Sequence, residues 1–166
     1  SLSILDIEKF ALAAHEHGVP LIIDNTFATP IHCRPFEWGC DIVTHSTTKY
    51  MDGHDATVGG CIVDSGHFNW LDYPDKFPGL TAPDESYHGI VYAQKFGKAA
   101  YITKATSQLM RDLGSIPAPM NAYLLNLGLE SLALRMERHA SNALAAAKFL
   151  EKHKKVNWVN YPGLPS

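Results

Sequence analysis

The run Leu21-Ile22-Ile23 stops abruptly at the polar Asp24-Asn25-Thr26, and the change recurs where Asp41-Ile42-Val43-Thr44 gives way to His45-Ser46-Thr47-Thr48-Lys49. A short run that is apolar throughout fits a strand covered on both faces, as in a parallel sheet. Two such runs with polar ends, joined by a loop carrying Thr29-Pro30, Arg34-Pro35 and the turn Trp38-Gly39, have the rhythm of an α/β fold. In open parallel sheets ligands bind beyond the carboxyl ends of the strands, so both polar clusters fall where chemistry is expected.

The flanking segments agree. Ser3 or Asp6 can cap a helix whose apolar positions are Ile4, Ile7, Phe10, Leu12 and Ala14. Gly18 and Pro20 then close it. Gly59 to Asp64 reads as a third strand, and Ser65 to Ser86, rich in Pro, Gly and Asp, as a partly packed surface excursion. A helical stretch runs from after Tyr87 to about Asp112, broken by Leu113 to Pro119. A second runs from about Met120 to Lys155, as two helices or one bent helix with Gly128 as a weak point. Val156 to Val159 reads as a last strand.

Composition narrows the function classes. A net charge of −3 gives no footprint for nucleic acid. No apolar run approaches the roughly 18 residues of a membrane span. Three cysteines without a CxxC spacing suit a reducing compartment, and a cytoplasmic protein is expected. No metal site is expected: His15 and His17 point in different directions on a helix and read as solvated or capping groups. Arg135 to Arg138 read as helix-surface charges, and Trp38 and Trp70 as packing or subunit-contact residues.

About 25 residues separate Asp24 from Lys49, enough to bring both to one sheet edge. Such a set suits pyridoxal 5′-phosphate (PLP): a lysine amine for the cofactor aldehyde, a carboxylate for the pyridine nitrogen, and hydroxyls for the phosphate. Lys49 fits the first task, Asp24 the second, Ser46 and Thr48 the third, with the two hydroxyls on one side of an extended strand end. Each piece has an ordinary alternative. An Asp after a strand also caps helices or forms turns, and Ser-Thr-Thr-Lys also occurs in exposed loops.

The stretches Ile23-Asp24-Asn25-Thr26-Phe27-Ala28-Thr29-Pro30 and His45-Ser46-Thr47-Thr48-Lys49-Tyr50-Met51-Asp52-Gly53-His54 closely resemble the Cys/Met-metabolism family of PLP enzymes. Gly128 to Leu132, Arg135 to His139, Asn142-Ala143 and Tyr161 to Leu164 are similar to its later segments. The resemblance implies part of the fold type I, aminotransferase-like large domain, α/β with a mostly parallel sheet. It implies Lys49 as the Schiff-base lysine, Asp24 as the pyridinium partner, and Ser46 and Thr48 as phosphate ligands. Residues 1–155 would be a partial PLP-binding domain ending in long helices, and 156–166 the start of a small C-terminal domain. Gly53-His54-Asp55-Ala56-Thr57 and the insertion from about Ser65 to Lys104 look like the O-acetylhomoserine sulfhydrylase branch. The implied reaction is γ-replacement on O-acetyl-L-homoserine by sulfide or a thiol, giving homocysteine or methionine, in a homotetramer built as a dimer of dimers. Rival readings are a γ-lyase or cystathionine γ-synthase of the same family, and a non-catalytic α/β interaction domain. The family's upstream phosphate loop and ring-stacking tyrosine have no counterpart here, nor has the carboxylate-binding arginine of the small domain. The chain is therefore expected to be a piece of a longer enzyme, inactive and poorly soluble alone.

Overall fold

The computed structural model describes residues 3–164. Helix α1, Ile7–Glu16, begins where the Asp6 carboxylate accepts the Lys9 N–H, at 3.2 Å. It ends before Gly18, which takes the left-handed conformation (φ +60°) and lies against the Tyr73 ring. Strands β1, Ile22–Asp24, β2, Ile42–Ser46, and β3, Gly60–Asp64, form a sheet in that order. Between β1 and β2, α2, Thr29–His32, carries Pro30 in its first turn and a 3₁₀ turn over Pro35–Trp38 begins on Pro35; the fixed φ of proline favours a first helical turn.

The sheet is mixed rather than mostly parallel. β1 and β2 run parallel, with Asp24 opposite Thr44, but β3 returns antiparallel, with His45 opposite Cys61. A strand reached by a loop at the same end, without a crossover helix, must reverse direction. Coverage also differs from the fully buried strand expected at residues 21–23. Among the described residues β1 pairs with β2 alone, and Ile22 stays half exposed.

The excursion supplies the main core. Pro, Gly and Asp make its turns, including α3, Pro78–Thr81, while its aromatic residues point inward. Phe68, Trp70, Phe77, Tyr92 and Tyr101 gather over Ile42 with Leu80, Ala93 and Ala100. Trp70 stacks on Tyr101 at 5.7 Å and meets Phe77 edge-on at 5.1 Å. This packing role for Trp70 agrees with the reading from sequence, whereas Trp38 is exposed. At the rim Lys104 pairs with Asp84 at 2.7 Å and holds that carboxyl down to about 2, with help from the Ser86 hydroxyl.

The following helical stretch starts at Tyr92 and is interrupted: α4, Tyr92–Phe96, α5, Ala100–Lys104, a π-helical segment Ala105–Met110, and α6, Arg111–Leu113. Gly97 and Gly114, both at positive φ, mark the first break and the end. The last two helices are α7, Pro119–Glu130, and α8, Leu132–Glu151. They part at Ser131, not at Gly128, which is buried inside α7 for a packing reason described below. Residues 156–159 form no strand, because they find no pairing edge among the described residues. No described helix is long and apolar enough to cross a membrane.

Candidate active site

Register brings the two polar clusters together. Because β1 and β2 are parallel and paired from Ile22↔Ile42 to Asp24↔Thr44, both end on the same sheet edge. Asn25 extends the pairing by one bond, donating to Thr44 O at 2.9 Å. Thr26 then ties the strand ends: its hydroxyl oxygen accepts the Ser46 N–H at 2.7 Å, and its own N–H donates to the Asp24 carboxylate at 3.0 Å. The Thr26 side chain first, and its backbone N–H second, hold the Asp24 carboxyl below the usual carboxylate range, with His45 adding a smaller contribution against desolvation. Asp24 is therefore an ionised, exposed acceptor at neutral pH.

His45 points into the protein. Burial pushes its imidazole below the usual range, so the ring is neutral at pH 7, and its Nδ1 has no partner among the described residues. Ser46 closes β2 half-buried, and its hydroxyl makes no hydrogen bond among the described residues. The chain does not continue extended to Thr48, as the alternation of hydroxyls had suggested. It coils at once, with Asp52 N–H donating to Thr47 O (3.1 Å) and Gly53 N–H to Lys49 O (2.9 Å). Thr48 then closes the loop on β3: its oxygen accepts the Gly59 N–H at 3.0 Å and its hydroxyl donates to Gly59 O at 3.3 Å. A side chain at Gly59 would press on the Thr47 hydroxyl, so glycine permits this approach. Lys49 projects outward from the coil, beside a cleft of about 350 Å³ lined by Phe27, Tyr50, Asp55, Arg135 and His139 among others.

The coil rests on a polar floor. Asp52 is 1% exposed and accepts the N–H groups of Ala56 (2.9 Å) and His54 (3.3 Å), which keep its carboxyl below the usual range. Met51 packs under it against Leu132 and Met136. Arg135, read from sequence as a surface charge, is half-buried instead. Its Nη1 donates to Tyr50 O at 2.7 Å, Nη2 to Gly128 O at 2.8 Å, and Nε to the Ser131 hydroxyl at 3.0 Å. His15 is exposed, as expected of a solvated group, but it also has a partner that the sequence did not suggest: its Nε2 meets the buried Asp41 carboxylate at 2.8 Å. The neighbour that signals either role lies far away in sequence, so helical spacing could not reveal it. No cluster of three or more metal-ligating side chains forms among the described residues.

A backbone of this shape and sequence is well represented among known proteins. The family model described as Cys/Met metabolism PLP-dependent enzyme matches residues 1–166. The chain belongs to this family. A homocysteine/cysteine synthase of Kluyveromyces lactis is 52% identical over 165 residues, covering 99% of this chain and 37% of that protein. An O-acetyl-L-homoserine sulfhydrylase of Leptospira meyeri is 48% identical, covering 98% and 38%. A crystal structure described as an O-acetylhomoserine (thiol)-lyase of Campylobacter jejuni, with N′-pyridoxyl-lysine-5′-monophosphate, matches at TM-score 0.90 and 39% identity, over 98% of this chain and 39% of that one. The chain thus spans less than two fifths of the length of these relatives. The Cys/Met-metabolism assignment accounts for the α/β fold and for PLP dependence as a family property.

Proposed function

We propose that the whole protein catalyses γ-replacement on O-acetyl-L-homoserine, with Lys49 as the cofactor lysine and Asp24, Ser46 and Thr48 as further cofactor ligands. The observation that carries this reading is the shared sheet edge, where an ionised carboxylate, a free serine hydroxyl and an outward lysine follow two adjacent parallel strands. The donor set fits PLP. Asp24, held ionised by Thr26, suits a protonated pyridine nitrogen, and the unpartnered Ser46 hydroxyl suits a phosphate oxygen. Thr48 could add to the phosphate site only through a hydroxyl already engaged with Gly59. When bound, the cofactor supplies an electron sink for negative charge at the substrate α carbon. Lys49 would shuttle protons at the substrate's α and β carbons, taking one from each and returning them after the thiol has added. The Cγ–O bond to acetate breaks and a Cγ–S bond to sulfide or thiol forms, with no net oxidation. The names carried by the K. lactis and L. meyeri relatives support this substrate class. A cytoplasmic location and a dimer-of-dimers assembly belong to the same proposal.

Borohydride treatment of the PLP-loaded whole protein, followed by peptide mapping, is expected to find the pyridoxyl group on Lys49. A label elsewhere, or none, removes the central assignment. Incubation with O-acetyl-L-homoserine and sulfide is expected to release acetate and homocysteine in equal amounts. Release of an α-keto acid and ammonia instead would make the protein a lyase.

A further inference from the structure

The coil that carries Lys49 is gripped from outside by the junction of α7 and α8. Arg135 sits one turn into α8, and its planar guanidinium reaches three acceptors that belong to different parts of the chain. These are the Tyr50 carbonyl beside Lys49, the Gly128 carbonyl of α7, and the Ser131 hydroxyl between the helices. Two glycines allow the approach. A Cβ on Gly53 would lie 2.6 Å from the guanidinium carbon, and one on Gly128 would lie 2.7 Å from Met51 O and nearer still to Asp52 O. The coil and the helix corner are thus interlocked backbone to backbone, with the guanidinium filling the gap.

We propose that Arg135 is a positioning residue that fixes the backbone of the Lys49 coil, and that Gly53 and Gly128 are glycines because the fit leaves no room for a side chain. The inference rests on the reading of Lys49 as the cofactor lysine. A lysine amine hangs on a flexible four-carbon stem, so only the backbone and the walls around it set where the amine can reach. The Tyr50 carbonyl belongs to the Tyr50–Met51 peptide, one residue after Lys49, and anchoring it restrains the backbone on the C-terminal side of the lysine. An error near 1 Å in such a group costs about 100-fold in rate. A lysine at 135 cannot replace the fork, because one ammonium on a flexible stem does not reach three separate acceptors in the fixed arrangement of a guanidinium.

Amide hydrogen exchange on the whole apo-protein tests the clamp without cofactor. In R135A, the Asp52 and Gly53 amides should exchange about tenfold faster, the equivalent of one lost hydrogen bond, while the β2–β3 amides keep their rates. In the loaded protein kcat should fall about 100-fold with KM changed less than about threefold. R135K should recover under a tenth of the lost kcat. Unchanged exchange at Asp52 and Gly53 overturns the proposal, and so does equal acceleration across the sheet, which would mean general support rather than positioning. Should R135A not fold, S131A removes one of the three anchors. A Gly53 rate raised about threefold then supports the clamp and an unchanged rate overturns it. Failure to trap PLP on Lys49 in the wild type would sink the functional reading while leaving the exchange result to decide the clamp.

Discussion

The excursion between residues 65 and 104 and the coil between residues 47 and 59 border the same strands, yet they are held in opposite ways. The excursion is held by burial: Trp70, Leu80, Tyr92, Ala93 and Ala100 exclude water over Ile42, with Phe68, Phe77 and Tyr101 packed against them. The coil buries few apolar side chains, Met51 among them, while Val58 stands almost fully exposed. Its shape comes from directed bonds, to Thr47 O and Lys49 O from within, to Asp52 from its own amides, and to Tyr50 O from Arg135. Burial is non-directional and tolerates small shifts. Hydrogen bonds fix position and leave the surface open. In the role proposed for it, Lys49 must be both accessible and precisely placed, which needs the second kind of support.

Truncation of the aromatic cluster is the hardest test of this contrast. Trp70→Ala is expected to cost about 3–5 kcal/mol in urea unfolding, the range for large buried aromatics. The coil amides should still exchange at their wild-type rates relative to global unfolding. A loss below about 1 kcal/mol would mean that the excursion is a loosely attached surface loop and not a core.

Gly128→Ala sharpens the other side. In an ordinary helix interior the change stabilises by about 1 kcal/mol. Here the Met51 and Asp52 carbonyls occupy the space a Cβ needs, and backbone cannot swing aside as a side-chain tip can. A destabilisation of about 2–3 kcal/mol is expected in the same unfolding measurement. A gain in stability would show that the two segments lie farther apart than their interlock requires.

The contrast also explains what could be read from residues alone. Asp24 and Lys49 were legible because a strand that ends in polar residues marks its own carboxyl edge, and the spacing fits a return to that edge. The antiparallel entry of β3 was not, since alternation and apolarity carry no information on strand direction. The excursion looked like surface because its turn residues outnumber the inward aromatics that organise it. Ile22 looked buried because an apolar run states a preference, while coverage depends on what pairs and packs beside it. Arg135 and Gly128 were misread for one reason: on a helix, a charge suggests solvent and a glycine suggests weakness. Both roles are set by a carbonyl on the coil, which no local pattern reports. The family resemblance supplied the role proposed for Lys49, but gave no account of what holds its backbone.

The smallest effect concerns Thr26, where one hydroxyl serves both strands. Thr26→Val keeps the shape and removes the acceptor of the Ser46 N–H, at an expected cost of about 1 kcal/mol. The more telling change is electrostatic. Asp24 loses the first of the interactions that depress its carboxyl, so its midpoint should move up toward 3.8, followed by the carboxyl carbon shift of Asp24 in an NMR titration. The sign follows from linkage. A carboxyl depressed in the folded state contributes stability above its unfolded value, and the contribution is lost as pH falls through the folded value. The variant should therefore lose less stability than the wild type as pH falls below 3.8. An unmoved Asp24 midpoint would show that the backbone N–H of Thr26 suffices to keep the carboxylate ionised. The hydroxyl would then act only as the tie between β1 and β2, and the polar edge would depend less on side-chain bonds than the coil beside it.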